Sequence, residues 1–291
     1  MDKLAAIHGT TKTRSVMIHI LIALVPALEA AIVLYGLKAL AIIAVCVTAS
    51  VLSEFFFNKI AKKPQTATDL SAAVTGILLA LSLPTTATLW QCLVGSVFAI
   101  VIVKCAFGGI GKNFVNPAVA AKVMLIVAFA TTTSRCVPEV SNLDKFFGYA
   151  QEGAAIGTTS ALAIVIGAVY LLLCGVINWQ TPVVYIAGTF ALSFAIGGTL
   201  GAAVSSLLGG GLLLGAVFMA TDPVTSPKNG WGRAIFALGC AVLTVLIWNF
   251  GKYSAEGVAF AILFMNVIVP YIDMLVDKLT GKGKSVEEVA E

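Results

Sequence analysis

Three polar, glycine-rich segments interrupt an otherwise apolar sequence, and they hold the residues best suited to chemistry. The first runs Gly108-Gly109-Ile110-Gly111-Lys112-Asn113-Phe114-Val115-Asn116-Pro117-Ala118. Its glycines permit close backbone approach, and Asn116-Pro117 makes a rigid helix start whose exposed N–H groups suit an anion or a carbonyl-rich ring. A tight interhelical turn is the plainer alternative. The second, Gly157-Thr158-Thr159-Ser160-Ala161-Leu162, sets three hydroxyls at a helix N-terminus, which suits phosphate or a simple N-cap. The third, Thr221-Asp222-Pro223-Val224-Thr225 through Arg233, combines two prolines, two glycines, an acid and two bases, the composition of an ordered capped or re-entrant loop. Within it Asp222 is expected to accept hydrogen bonds from backbone donors or from Arg233, because a lone buried carboxylate is costly.

Other chemistries find little support. The histidines, His8 and His19, lie in or beside the first apolar run, and no Ser/His/Asp or Cys/His set converges, so no catalytic residue is assigned. The six cysteines are scattered without a Cys-x-x-Cys pair, which argues against a disulfide framework, an iron–sulfur cluster or any metal site within the chain. Five of them sit in apolar runs and read as buried small residues, while Cys136 falls in a polar loop. Glu29 and Glu54 are the membrane carboxylates best placed to mark an ion or proton path. Lys104 and Lys122 read as snorkelling residues near helix ends.

The elements that must position these groups follow from composition. Apolar residues make up 59% of the 291 and charged residues 11%, with a mean hydropathy of +1.00. Such a surplus requires lipid as the main solvent. The runs are continuous and lack period-2 alternation, which favours helices over a barrel. The reading is an all-α polytopic protein of about ten transmembrane helices, over 15–35, 39–57, 70–84, 89–108, 116–133, 156–177, 182–200, 205–221, 231–250 and 257–277. A single transmembrane domain, 15–277, would lie between an N-terminal segment 1–14 and a C-terminal tail 278–291, with no cleavable signal sequence in the N-terminal residues. The third and eighth spans are short or glycine-interrupted, which suggests two five-helix halves, 15–133 and 156–277, joined by a loop 134–155.

Lysine and arginine counts orient the chain. With the N-terminus inside, twelve fall on the cytoplasmic side, among them Lys3, Lys59, Lys62, Lys63, Lys228, Lys282 and Lys284, against four, Lys38, Arg135, Lys145 and Lys252, outside. Both termini and Lys228 are therefore expected in the cytoplasm and Lys145 outside. The net charge of +4 is this bias and gives no reason to expect nucleic acid.

At these segments the chain resembles the RnfD/NqrB family of membrane proteins. The matching stretches include Asp69-Leu70-Ser71-Ala72-Ala73-Val74-Thr75-Gly76, Asn116-Pro117-Ala118, Gly157-Thr158-Thr159-Ser160, Thr221-Asp222-Pro223-Val224-Thr225, Glu256-Gly257-Val258 and Asn266-Val267-Ile268-Val269-Pro270. The resemblance implies a multi-pass component of a prokaryotic cytoplasmic (inner) membrane, acting in the Rnf complex, an ion-translocating ferredoxin:NAD oxidoreductase, and not catalytic alone. Implied partners are the other Rnf proteins, namely the A-type and E-type membrane subunits, the G-type flavoprotein and the cytoplasmic B-type and C-type subunits, together with the ion moved, Na+ or H+. It also implies FMN near the outer side, with Thr158, Thr159, Ser160, Asn113, Asn116, Thr221, Asp222 and Thr225 as cofactor-binding residues. The family's Ser-x-Ala-Thr attachment motif is absent from 134–156, so FMN is expected to bind non-covalently, with Thr158 or Thr159 as the alternative attachment point. A small-solute channel or transporter, and a structural subunit that has lost its flavin, are the competing readings.

Overall fold

The computed structural model describes residues 10–134, 141–150, 153–209, 211–251 and 256–280. Cys136, Arg135, His8, Lys252 and the terminal lysines Lys3, Lys282 and Lys284 lie outside the described residues. The elements are α1 (Thr10–Tyr35), α2 (Leu37–Ile60), α3 (Ser71–Ser82), α4 (Leu89–Val97, continued by a π-helix, Phe98–Cys105), α5 (Pro117–Ala128) and a short α6 (Asn142–Phe147). Then follow α7 (Ala161–Leu173), α8 (Gln180–Gly197), α9 (Leu200–Leu208), α10 (Leu212–Leu214, continued by a π-helix, Gly215–Met219), α11 (Gly230–Phe250) and α12 (Gly257–Leu279). Each of the ten predicted spans falls on a helix or, for 205–221, on the broken pair α9 and α10.

Five described helices, α1, α2, α8, α11 and α12, are long and apolar enough to cross a membrane alone. The others are too short. At 1.5 Å per residue, α3 and α5 reach about 18 Å against a hydrocarbon core of about 30 Å. Their flanking irregular backbone then lies at membrane depth, which is tolerable only inside protein. Accordingly α3 is buried on almost every side, with only Ala73 partly exposed. It starts where Asp69 Oδ1 accepts the Ser71 N–H at 2.8 Å, after Leu70 in a left-handed conformation (φ 68°). It stops at Leu83-Pro84, because the residue before proline is driven to extended geometry. Past that point the Leu81 and Leu83 carbonyls accept the Gly157 and Ile156 N–H groups, tying the end of α3 to the approach to α7.

α1 and α7 pack on each other, and so do α5 and α12. α3 lies against α2 and α5 between them. Glycine permits the close approach. A Cβ on Gly76 of α3 would stand 2.7 Å from the Cys46 carbonyl oxygen of α2, and one on Gly167 of α7 would collide with the Ala23 carbonyl oxygen of α1. Since the obstacles are backbone atoms, Gly76→Val is expected to lower stability by about 1–3 kcal/mol, read as a lower thermal midpoint of the detergent-solubilised protein. An unchanged midpoint would show that α2 and α3 can separate freely.

Candidate functional site: two stacked cavities

Two cavities lie end to end along the same three elements. The first is at the end of the bundle that carries the 61–70 connection; Ser71, Val74, Thr75 and Leu78 of α3, Asn116 and Pro117 of α5, and Val217, Phe218 and Thr221 after α10 line it. The second, toward the opposite end, takes Ser82 of α3, Val119 and Lys122 of α5, and Gly211, Leu214 and Met219 around α10. Positions 71, 74, 75, 78 and 82 form one stripe of a helix, which is why one face of α3 serves both. Both spaces are clefts that open to the outside rather than sealed voids.

Asn116 organises the first cavity. Its side-chain oxygen caps α5 by accepting the Ala118 and Val119 N–H groups at 3.0 and 3.3 Å, and its Nδ2 donates to the Met219 carbonyl at 3.3 Å and toward Asp222 Oδ2 at 3.5 Å. Its backbone N–H donates to Asn266 Oδ1 of α12 at 3.1 Å, and Asn266 Nδ2 donates to the Thr225 carbonyl at 3.1 Å. Asp222 Oδ1 accepts the Val224 N–H at 3.0 Å. Arg233, named as a possible partner from sequence, instead donates to the Pro227 and Lys228 carbonyls and to Gln180 Oε1. Asn113 and Thr221 line the cavity while bonding locally, to the Val115 and Val217 carbonyls. Thr225 is buried behind it.

Lys104 also lines this cavity, and it does not snorkel. Its side chain is 3% exposed and its ammonium lies 2.8 Å from Glu54 Oε1, itself on a residue 1% exposed. The π-helix that ends α4 carries Lys104 inward; extra-wide turns of this kind recur at functional sites. Lys122 corrects the same expectation in the second cavity. Buried to 3%, it pairs with Glu256 Oε1 at 2.8 Å and donates to the Thr132 carbonyl at 3.0 Å and Ser134 Oγ at 3.3 Å. Both lysines stand inside apolar runs, where an ionisable residue should be read as paired before it is read as snorkelling. Glu29, by contrast, is exposed on α1, and Cys174 is exposed rather than buried.

The second cavity adds hydroxyls from Ser82, Ser134, Tyr149 and Thr158. Burial and the neighbouring Tyr35 push Tyr149 up to about 12, so it stays a neutral phenol. Of the three predicted phosphate hydroxyls only Thr158 faces this space. Thr159 is 1% exposed and donates to the Ile156 carbonyl, and Ser160 caps α7 by accepting the Ala163 N–H while donating to the Phe147 carbonyl. The eight residues proposed from sequence therefore divide: Asn113, Asn116, Thr221 and Asp222 at the first cavity, Thr158 at the second, and Thr159, Ser160 and Thr225 behind the walls. Sequence reasoning missed Lys104, Lys122, Glu256, Tyr149 and Asn266 as lining or bracing residues. Among the described residues no group of histidine, cysteine, aspartate and glutamate could hold a metal ion.

Known proteins match this chain along nearly its whole length. The D subunit of the Na(+)-translocating ferredoxin:NAD(+) oxidoreductase complex of Acetobacterium woodii is 40% identical, covering 97% of this chain and 95% of that one. The D subunit of the proton-translocating ferredoxin:NAD(+) oxidoreductase complex of Clostridium ljungdahlii is 37% identical over 89% of this chain and 88% of its own. The D subunit of the ion-translocating oxidoreductase complex of Escherichia coli is 31% identical over 91% and 93%. Residues 1–281 match the family described as the NQR2, RnfD, RnfE family, and the chain belongs to it.

Proposed function

We propose that this protein is the D-type membrane subunit of an ion-translocating ferredoxin:NAD+ oxidoreductase complex and carries FMN in the second cavity. The observation that carries the flavin reading is the make-up of that cavity. Apolar walls from Val119, Leu214, Met219 and Val258 meet hydroxyls and one buried cation there. Gly211, with φ +74°, brings backbone against Thr158, where a Cβ would come within 3.4 Å of the threonine methyl. Such a donor set fits a flat ring with a phosphate: the Thr158 hydroxyl would donate to the phosphate, and Tyr149 can donate to a ring carbonyl. Bound FMN would supply electron transfer. The polypeptide orients it, excludes water and sets the local charge through Lys122 and Glu256.

The lysine-rich end, with both termini, is assigned to the cytoplasm of a prokaryotic inner membrane, and the A-, E-, G-, B- and C-type Rnf proteins are the assigned partners. The relatives include both Na+- and proton-translocating complexes, so the ion is left as one of these two. Because Lys145 is buried against Ser205, cysteines at Leu143 and Lys228 are the better topological reporters. Labelling of position 143 from the cytoplasmic side would overturn the orientation.

Denaturing the purified protein tests the flavin. Release of FMN into the supernatant is expected. A fluorescent band on the polypeptide that disappears in Thr158→Ala would replace this by covalent attachment at the one threonine facing the cavity. A colourless protein within the complex would reject the flavin and leave a structural role, and a colourless chain that conducts solute alone would make the stacked cavities a channel.

A further inference from the structure

We infer that the outward face of α1 around Glu29 is a docking surface for a transmembrane helix of a different membrane protein, one that carries a lysine or arginine at the depth of this carboxylate. The inference rests on the proposed place of this chain in a membrane complex, and it names a surface and a partner chemistry within that complex.

Glu29 stands where a carboxylate has no water to solvate it. α1 is one continuous apolar helix from Thr10 to Tyr35, and Glu29 lies about 9 Å inside its Tyr35 end. The Cα–Cβ bonds of a helix tilt toward its N-terminus, so this side chain starts out leaning deeper into the span and away from the nearer end. A glutamate is also too short to snorkel as lysine and arginine do. The inner face of the helix is committed to the protein core: Ala23, Leu24, Ala27 and Ala31 are at most 2% exposed, and α1 packs on α7. The opposite face carries Ile22, Val25 and Ile32, exposed by 47%, 44% and 37%, with Glu29 exposed among them. Steps of three and four residues put all four on one stripe.

Within the chain nothing described answers this carboxylate. Glu54 and Glu256 each have a lysine ammonium at 2.8 Å, from Lys104 and Lys122 respectively, and these are the ion pairs among the described residues. Glu29 is left without one. On α2, the next helix, the exposed Thr48 hydroxyl is already committed to the Ala44 carbonyl at 2.7 Å. A second acceptor belongs to the same stretch of α1, because Pro26 lacks the N–H that the Ile22 carbonyl would otherwise accept. In a bilayer such freed backbone groups are satisfied by neighbouring helices.

Charge selects the occupant. Lipid tails offer no donor. A second copy of this chain, packed on the same face about a two-fold axis, would set Glu29 against Glu29, and like charges at an interface repel. Ionisable groups inside membranes pair with one another, so the complement of an unpaired acid is a basic side chain on a foreign helix.

The test uses the intact complex in its native membrane. A photoreactive benzoyl-phenylalanine is placed at Val25 or at Ile32, about one turn to either side of Glu29, and the adduct formed on irradiation is identified by mass spectrometry. The expected adduct is an apolar helix of another membrane protein with a lysine or arginine inside it. Capture of lipid alone, of a second copy of this chain, or of a helix without a basic residue would overturn the inference. Charge is tested separately. Glu29→Lys is expected to lower the amount of the captured partner that co-purifies by about tenfold or more, because it sets like charges together at a buried contact. Glu29→Leu should lower it too, although lipid would favour leucine, since the partner's cation is then stranded. This chain's own level in the membrane should stay at that of wild type, which separates lost docking from lost folding. Wild-type co-purification in both variants would overturn the inference. If no other membrane protein co-purifies with the wild-type chain, it is the proposed place in a complex that fails.

Discussion

Replacing Lys122 by methionine is expected to cost about 3–5 kcal/mol of stability, because it strands the Glu256 carboxylate in the protein interior. The two side chains are 3% and 6% exposed, and Glu256 Oε1 also accepts the Ser134 N–H at 2.5 Å. The pair therefore does more than neutralise itself. It fastens the 130–134 connection to the N-terminal end of α12 and so shapes one wall of the second cavity. Glu256→Gln should be milder than Lys122→Met, since the amide oxygen can still accept from Ser134. The double variant Lys122→Met/Glu256→Gln should recover most of the loss, as removing both charges abolishes the desolvation penalty along with the attraction. Thermal unfolding of the four proteins in detergent measures the coupling. Additive losses would show the two sites to be independent and the ion pair energetically idle.

Asn266→Leu is expected to have the second largest effect, through the first cavity rather than the second. Asn266 is 1% exposed and makes two bonds to backbone, accepting from the Asn116 N–H and donating to the Thr225 carbonyl. A leucine of similar size orphans both, at about 1–3 kcal/mol for each buried group left unsatisfied. The geometric consequence is as large as the energetic one. Asn116 and Thr225 lie on different segments that Asn266 bridges, so their loss of register should widen the cavity. Lowered stability together with faster hydrogen exchange at residues 116–119 and 222–226 would bear this out. Stability within about 0.5 kcal/mol of wild type would show that water replaces the side chain's bonds, as it can at exposed sites.

How much of this was legible in the sequence differs between elements. The ten apolar segments could be delimited because each helix in lipid must satisfy its own backbone, so hydropathy alone nearly fixes where helices run. Pro84 and Pro117 mark the end of α3 and the start of α5 for the same local reason, a ring that forbids one backbone geometry. The cap at Asn116 was legible too, as an oxygen-bearing side chain ahead of proline. Membership of the family was likewise carried by ordered local motifs.

Which side chains meet was not legible, because it depends on how helices distant in sequence rotate against one another. Lys104 looked like a snorkelling residue because the pattern around it does not reveal that a π-helix turns it toward Glu54, fifty positions earlier. The partners of Lys122 include Glu256, more than a hundred residues away, and no local signal pairs them. The hydroxyls of Thr158, Thr159 and Ser160 are equivalent by composition; the fold alone turns Thr158 to a cavity and commits Ser160 to a helix cap. Local chemistry is written in neighbouring residues, whereas a buried charge is stable only where the packed helices bring its counter-charge within about 4 Å, and that juxtaposition is a property of the tertiary structure.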